Sequence, residues 1–141
     1  MGIDHSAKAW GIAISNPDLS MATPLTSLKE GAFQGNVRKL IELCKEYSVG
    51  GLVIGLPLNV DDSEGPRAQS VRHFAENLLK ERENFGFDPP VAFWDERLST
   101  SAAEDLLDEY QSLPRKRRDE IIDALAAQII LSDALKKIDS L

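Results

Sequence analysis

Short apolar runs alternate with longer segments of helical periodicity along most of the chain. Three apolar runs come early, at residues 2–4, 10–15 and 21–28, and we predict a β-strand at each of them. Pro24 lacks the backbone N–H that a central strand needs, so the third strand must lie at a sheet edge or contain a bulge. The first two strands are close enough in sequence to form a hairpin with its turn around residues 5–9.

Helical and extended segments then alternate through the middle of the chain. Residues 36–47 and 68–83 carry apolar side chains at helical spacing, and we predict a helix at each. Continuous apolar runs follow at residues 51–54 and 91–94. Such runs are typical of strands that are buried on both faces of a sheet.

The last third of the chain is predicted to be mainly helical. Ser99 or Thr100 can cap a third helix, which has a glutamate near its start. Residues 113–118 are predicted to be a basic connector, and residues 119–137 the final helix. Because no repeat, low-complexity tract or linker interrupts the pattern, we expect one α/β domain over residues 1–141.

Composition narrows the class of protein. The 141 residues are 43% hydrophobic and 28% charged, which is an ordinary soluble globular balance. With 16 basic and 23 acidic residues the net charge is −7, which argues against a surface coated in positive charge for sequence-blind nucleic-acid binding. No apolar run approaches the roughly 20 residues of a membrane span, and no signal-peptide layout is present. The single cysteine, Cys44, fits a reducing compartment, so we expect a cytoplasmic protein.

Three carboxylates stand at positions where chemistry is expected. Asp4 ends the first strand, and Glu96, beside Asp95, follows a later one, where the sites of α/β sheets assemble. Asp123 lies in the final helix. Within residues 121–131 of that helix, the only other polar residue is Gln128. Burial of a carboxylate is costly unless the charge is paired or holds a metal ion.

Each carboxylate also has a simpler structural explanation. A strand-ending aspartate such as Asp4 can hydrogen-bond the following turn. Glu96 can pair with Arg97 or with a surface lysine, since most such charges are solvated. Asp123 can form a salt bridge with the basic connector that precedes its helix. The candidate partners of Asp123 are Arg117 and Arg118.

Four stretches of the chain resemble one known family, in the order in which the family has them. They are Gly2-Ile3-Asp4 through Lys8 to Gly11-Ile12-Ala13-Ile14-Ser15, then Gly55-Leu56-Pro57-Leu58-Asn59 with Glu64-Gly65-Pro66-Arg67-Ala68-Gln69, then Asp95-Glu96-Arg97-Leu98-Ser99-Thr100, and finally Ile122-Asp123-Ala124 with Ala126-Ala127. On these motifs the chain resembles the YqgF/RuvX family. Its members are Holliday-junction-resolvase-like proteins, also described as pre-16S rRNA nucleases.

The resemblance implies an RNase H-like fold, with a mixed five-stranded sheet flanked by helices. It also implies that Asp4, Glu96 and Asp123 form an acidic triad that binds metal and acts in catalysis, with Asp95 as the alternative to Glu96. Two Mg²⁺ or Mn²⁺ ions about 4 Å apart can then generate the attacking hydroxide and stabilise the leaving oxygen. Such hard cations prefer the oxygen ligands that carboxylates supply.

The resemblance further implies a nucleic-acid substrate, either structured RNA such as pre-rRNA or branched DNA. Arg67 lies where a guanidinium can bind phosphate bidentately, and Lys8 is a second, weaker candidate. Asn59 and Arg97 lie in the family motifs, and Arg117 belongs to the basic segment before Asp123. We expect these five residues to contact substrate, and we expect a monomer or a weak homodimer that does not bind membranes.

The sequence departs from the family in the turn after Asp4. Ser6 stands where the family has glycine, and Ala9 replaces a usual basic residue. Serine tolerates positive φ poorly, so a different turn is expected, and one possible phosphate contact is lost. The family also tends to carry a few more residues before the first strand, which leaves truncation of that strand open.

The favoured function is therefore metal-dependent endonucleolytic processing of the 5′ end of pre-16S rRNA. The alternatives are a Holliday junction resolvase and a non-catalytic nucleic-acid-binding or transcription-linked factor on the same fold. A sugar-kinase or actin-type ATPase would need a second such domain to enclose its nucleotide. A purely structural partner protein would leave Asp123 within an apolar helix unexplained.

Overall fold

Five strands form one mixed sheet in the computed structural model, which describes residues 1–6, 8–29, 31–96 and 111–139. The strand order is β3-β2-β1-β4-β5; β1 and β2, and β2 and β3, are antiparallel, whereas β4 is parallel to β1 and to β5. The mixed five-stranded sheet predicted from the resemblance is confirmed. The strands are β1 (Gly2–His5), β2 (Ala9–Ser15), β3 (Ala22–Lys29), β4 (Leu52–Leu56) and β5 (Val91–Asp95).

Pro24 meets both conditions that its missing N–H imposes. Its strand, β3, lies at the edge of the sheet, and the register between β2 and β3 shifts beside it. Ile12 pairs with Thr26, whereas the next residue, Ala13, pairs with Pro24, so β3 carries one extra residue. The bulge and the edge position together let proline lie in a strand without breaking the ladder.

Four helices are present in the described ranges: α1 (Phe33–Glu46), α2 (Pro66–Leu79), the short α3 (Arg82–Phe85) and α4 (Arg115–Asp139). None of them combines the length and the apolar character that crossing a membrane requires. The helix predicted over residues 68–83 is broken into α2 and α3. Gly86 then ends α3 with a φ of 81°, a left-handed conformation that glycine adopts at little cost.

The predicted basic connector at residues 113–118 is wrong, because α4 already begins at Arg115. Pro114 immediately precedes the helix, and its carbonyl accepts a hydrogen bond from the Arg118 backbone N–H. Arginine and lysine are good helix formers, so their charge did not stop the helix. The helix predicted to begin at Ser99 or Thr100 lies outside the described residues.

The helices cover the two faces of the sheet unequally. On one face α1 and α2 enclose the larger core, which includes the fully buried Ile3, Ile12 and Ile54 of the central strands. The long helix α4 lies on the other face, where Leu131 and Leu135 pack with small residues. The remaining members of that second core are Ala13, Ala22 and Ala127, with Val53 packed against them.

Small residues let α4 lie very close to the sheet. A Cβ atom at Gly2 would approach the Ala127 carbonyl oxygen to 2.8 Å, and one at Gly11 would overlap the backbone carbonyl of Asp123. A Cβ atom at Gly55 would approach Ile130 Cδ1 to 2.5 Å. We call Gly2, Gly11 and Gly55 the glycine seam. It sets the separation between α4 and the three central strands.

We expect Gly11→Ala to destabilise the protein by about 3 kcal/mol, at the upper end of the usual cost of overpacking. The added methyl group meets helix backbone rather than a flexible side chain, so α4 must move. The free energy of unfolding in urea measures this effect.

Gly35→Ala is the matched control. A Cβ atom at Gly35 would meet nothing within 4 Å, and the residue lies inside α1, where alanine is favoured over glycine by about 1 kcal/mol. The control should therefore be neutral or stabilising. Equal stability of Gly11→Ala and the unmodified protein would contradict the close approach of α4.

Candidate active site

Side-chain alternation directs Asp4 towards the face of the sheet that α4 covers. Asp4 pairs directly with Gly11 across the antiparallel β1–β2 ladder, and directly opposed residues project to the same face. The Cβ direction of Gly11 meets the backbone of Asp123, which identifies that face as the α4 side. Asp4 and Asp123 are thus brought to the same place by one strand pair and one helix.

Glu96 reaches the same face over Gly55. It directly follows β5, and its backbone N–H donates a hydrogen bond to the Leu56 carbonyl at 3.3 Å, which continues the β4–β5 pairing. The Glu96 carboxyl group occupies the space that a side chain at Gly55 would need. The absence of a side chain at Gly55 therefore lets Glu96 fold back over the sheet towards Asp4.

Asp4 and Glu96 form a hydrogen-bonded carboxyl pair. Burial raises the pKa of Asp4, while the hydrogen bond with Glu96 and the positive charge of Arg67 oppose that rise. Burial, together with the negative charge of Asp4, raises the pKa of Glu96 to about 8. Two carboxylates this close cannot both ionise cheaply, so the pair favours holding one proton between them while no cation is bound.

Asp123 is held from the edge of the sheet. Ser27 Oγ on β3 donates a hydrogen bond to Asp123 Oδ2 at 3.1 Å. Burial raises the pKa of Asp123, the bond from Ser27 opposes the rise, and the charge of Asp4 adds to it. No ion pair of Asp123 with Arg117 or Arg118 is present in the described part of the chain, so the salt-bridge alternative does not hold there.

The structure brings the three predicted carboxylates into electrostatic contact without forming a closed cage. Within the described ranges, no group of three or more Asp, Glu, His or Cys side chains forms a ready-made metal site. What the site offers is a half-buried Asp4–Glu96 pair, with Asp123 close enough to repel Asp4. A divalent cation would relieve this repulsion, and carboxylate oxygens are the ligands that hard cations prefer.

Among the predicted substrate residues that the structure describes, Arg67 is the one whose charge acts on this pair. It is exposed near the start of α2, just after Pro66, and its charge acts on both Asp4 and Glu96. It lies at the end of the sheet where β1, β4 and β5 finish. A guanidinium there can meet a phosphate group that approaches the carboxylates.

The loop before Arg67 is fixed by a residue that sequence reasoning missed. Arg72 makes a bidentate ion pair with Glu64, and its guanidinium carbon lies 4.8 Å from the ring centroid of Phe93 on β5. One side chain therefore joins the loop to the strand that leads to Glu96. The eight-residue separation of Glu64 and Arg72 gives no signal in the sequence, because they meet only after the loop folds back on α2.

The other predicted site residues are exposed or lie outside the described ranges. Asn59 is exposed, and its side chain donates to Ser63 Oγ at 3.0 Å, which places it within the loop's own hydrogen bonding. Lys8 and Arg117 are exposed. Arg97 lies outside the described residues. Asp95 is exposed at the end of β5 and raises the pKa of Glu96 by its charge.

Ser6 replaces the family's glycine by a different turn chemistry. Its hydroxyl donates to the Ala9 carbonyl at 2.9 Å and accepts from the Ala9 N–H at 3.1 Å. Positive φ angles at described non-glycine residues occur at Leu19, Ser48 and Asp62 only, so Ser6 avoids the strain expected for serine. The turn after Asp4 is therefore closed by a side-chain hydroxyl.

Cavity volume by itself would misplace the site. An apolar cavity of about 690 Å³ lies at the opposite end of the sheet, where Met1, Leu135 and Ile138 contribute to its lining. None of the three carboxylates borders it. The carboxylates are instead identified by burial, mutual repulsion and position at the strand ends.

Comparison with known proteins gives a family match over nearly the whole chain. The family profile described as "RuvX: Holliday junction resolvase" matches residues 1–137. A protein of Roseobacter denitrificans is 49% identical over 138 residues, which cover 98% of this chain and 82% of that protein. A protein of Rhodospirillum centenum is 45% identical over 138 residues, covering 98% of this chain and 73% of that protein. Both carry the name "Putative pre-16S rRNA nuclease".

Solved structures give a match in fold. The RuvC protein of T. thermophilus in complex with Holliday junction substrate aligns with a TM-score of 0.60 at 16% identity, covering 99% of this chain and 94% of that one. A second structure, Thermus thermophilus RuvC, aligns with a TM-score of 0.55 at 16% identity, covering 99% and 95%. These matches confirm the RNase H-like fold.

In the absence of divalent cations we expect the protein to lose stability as the pH rises. The pKa of Glu96 moves from its ordinary 4.5 to about 8 on folding, so the folded state holds an extra proton between these values. The contribution of this proton to stability is complete below the ordinary pKa of glutamate. It is lost as the pH rises through the pKa that Glu96 has in the folded protein. Urea unfolding in EDTA should show a loss on the order of 2 kcal/mol between about pH 5 and about pH 8.

Glu96→Gln should remove most of this pH dependence. Burial lowers the pKa of His5, which acts in the opposite direction in the same range, but His5 is present in both proteins. The difference between the two slopes therefore isolates Glu96. Identical slopes would show that the Asp4–Glu96 pair does not hold the extra proton.

Proposed function

The chain belongs to the RuvX family, and on that premise we propose that it is a metal-dependent endonuclease that hydrolyses phosphodiester bonds in nucleic acid. The observation that carries the proposal is the half-buried, hydrogen-bonded Asp4–Glu96 pair, with Asp123 close enough to act on Asp4. Mutual repulsion of buried carboxylates is unfavourable for stability alone. It is useful where a divalent cation and a phosphodiester must be held together.

We assign the ligands of that cation to Asp4 and Glu96, with Asp123 completing the site and Asp95 as the alternative to Glu96. Mg²⁺ or Mn²⁺ fits this set because all of the donors are carboxylate oxygens. When bound there, such a cation, or a pair of them, would activate water as the nucleophile and would stabilise the charge on the leaving oxygen.

The side chains of the protein have two further tasks in hydrolysis. A water oxygen forms a bond to phosphorus, the bond from phosphorus to one nucleotide oxygen breaks, and that oxygen leaves with a proton. The negative charge that gathers on the phosphate oxygens needs a counter-charge, which Arg67 supplies from the start of α2. The Arg72–Glu64 ion pair keeps the loop before Arg67 in place against Phe93 of β5.

We propose pre-16S rRNA, cut at its 5′ end, as the substrate. The support is the name shared by relatives that are 45–49% identical over almost all of this chain. The second candidate is a four-way DNA junction, supported by the description of the family and by the RuvC complex that shares the fold. We further propose a cytoplasmic location, which the single buried Cys44 suits, and a monomer or weak homodimer.

The decisive experiment is cleavage of two labelled substrates by the purified protein. One is an RNA fragment that spans the unprocessed 5′ end of 16S rRNA, and the other is a four-way DNA junction. Each is incubated with Mg²⁺, with Mn²⁺ and with EDTA. We expect cation-dependent cleavage of the RNA in preference to the junction. We also expect Asp4→Asn to lower the rate roughly 100-fold or more, because it removes a ligand rather than a ligand's neighbour.

Three other outcomes would correct the proposal. Preferred cleavage of the junction would make the protein a resolvase. Cleavage that Asp4→Asn leaves unchanged would exclude the carboxylate site. Binding of either substrate without cleavage of any would indicate a non-catalytic binding factor.

Arg67→Ala should weaken substrate binding without abolishing cleavage at saturating substrate. We expect KM to rise several-fold, and the dependence of log K on log salt to become shallower by about one, as for the loss of a single phosphate contact. Lys136→Ala is the control, because Lys136 is exposed on α4 about 20 Å along the helix from Asp123. Equal salt dependence for the two variants would remove Arg67 from the substrate path.

A further inference from the structure

Three polar contacts join the edge strand β3 to α4. Gln128 Nε2 donates to the Ala22 carbonyl at 3.1 Å, at one end of the interface. Lys29 Nζ lies 2.8 Å from Glu120 Oε1 at the other end. Between them, Ser27 Oγ donates to Asp123 Oδ2 at 3.1 Å. The middle contact is the one that touches a proposed catalytic carboxylate.

Ser27 and Asp123 lie 96 residues apart in the sequence and are both half-buried. Aspartate has few side-chain torsions, so a single hydrogen bond to one carboxylate oxygen fixes much of its orientation. The bond engages Oδ2, and Oδ1 is not part of it.

We propose that Ser27 is a positioning residue that orients Asp123 for binding of the divalent cation. This inference rests on the proposed function, because it assigns Ser27 a role only if Asp123 is a ligand. Ser27 itself touches neither substrate nor cation in this assignment. It acts by holding the Asp123 carboxylate in one orientation beside Asp4.

The other contacts between β3 and α4 allow the positioning role of Ser27 to be distinguished from a structural role. The register of α4 against β3 is fixed on either side of Ser27, by Gln128 and by the Lys29–Glu120 pair. The glycine seam fixes the separation of α4 from the sheet independently of all three contacts. Removing the Ser27 hydroxyl should therefore leave the helix in place and change only the restraint on Asp123.

Mn²⁺ binding to the full chain, measured by titration calorimetry without nucleic acid, is the test. Ser27→Ala should raise the apparent dissociation constant about 10-fold or more, which is the usual cost of losing a group that orients a metal ligand. Ser27→Thr keeps the hydroxyl and suits a strand, so it should bind Mn²⁺ nearly as the unmodified protein does. Cleavage assays over a range of Mn²⁺ concentrations should show the same shift, with substrate KM unchanged.

Gln128→Met is the matched control from the same interface. It removes the hydrogen bond to the Ala22 carbonyl and should lower the unfolding midpoint, yet leave Mn²⁺ affinity unchanged. An Mn²⁺ affinity of Ser27→Ala equal to that of the unmodified protein would overturn the inference, and so would equal losses in Ser27→Ala and Ser27→Thr. If the unmodified protein binds Mn²⁺ and cleaves nucleic acid in either of those cases, the proposed function stands. Failure of the unmodified protein to bind Mn²⁺ or to cleave overturns both.

Discussion

The close approach of α4 to the sheet is the constraint on which the site depends. Each residue of the glycine seam lies where a side chain would collide with α4 or with Glu96. At Gly11 the helix backbone itself fills the space, and the residue that fills it is Asp123. The contact that packs α4 on the sheet is therefore also the contact that brings in a proposed catalytic carboxylate. A larger residue in β2 would move both at once.

This arrangement opposes stability to function. The pKa of Asp4, Glu96 and Asp123 is raised in each case mainly by burial, which means that the ionised form of each carboxyl group is disfavoured in the folded protein. Packing elsewhere must offset the cost of this burial. The large apolar core on the α1–α2 face provides that stabilisation. The two faces of the sheet therefore differ in their side chains and in their roles. One face is packed with large apolar side chains. The other carries small residues, which leave room for α4 and the three carboxylates.

The chain departs from the family motif in the turn after Asp4, where side-chain hydrogen bonds replace the usual glycine. The turn after Asp4 has no glycine, but the Ser6 hydroxyl bonds both backbone groups of Ala9 and closes it. The loop that leads to Arg67 is fixed by Arg72, which pairs with Glu64 and stacks on Phe93. Local hydrogen bonds thus close the turn without a glycine, and an ion pair holds the second loop, whose sequence keeps the family motif. The glycine seam has no such substitute, because nothing but hydrogen fits.

The sequence by itself determined the elements and the carboxylate positions. Apolar runs predicted all five strands, and Pro24 predicted an edge strand or a bulge, because these features depend on side-chain period and on one missing N–H. Family motifs then marked Asp4, Glu96 and Asp123. Only the tertiary structure showed that Ser27 bonds Asp123 and that Glu96, rather than Asp95, pairs with Asp4.

Only the tertiary structure likewise determined where α4 begins and which distant side chains it contacts. The basic run at residues 115–118 has the composition of a connector, yet it is helical because Pro114 and the packing of α4 on the sheet allow the helix to begin there. Periodicity records which face of an element is apolar, but it carries no information on which distant side chain that element meets. Contacts that span 96 residues depend on the distance between a helix and a sheet, and in this protein the glycines set that distance.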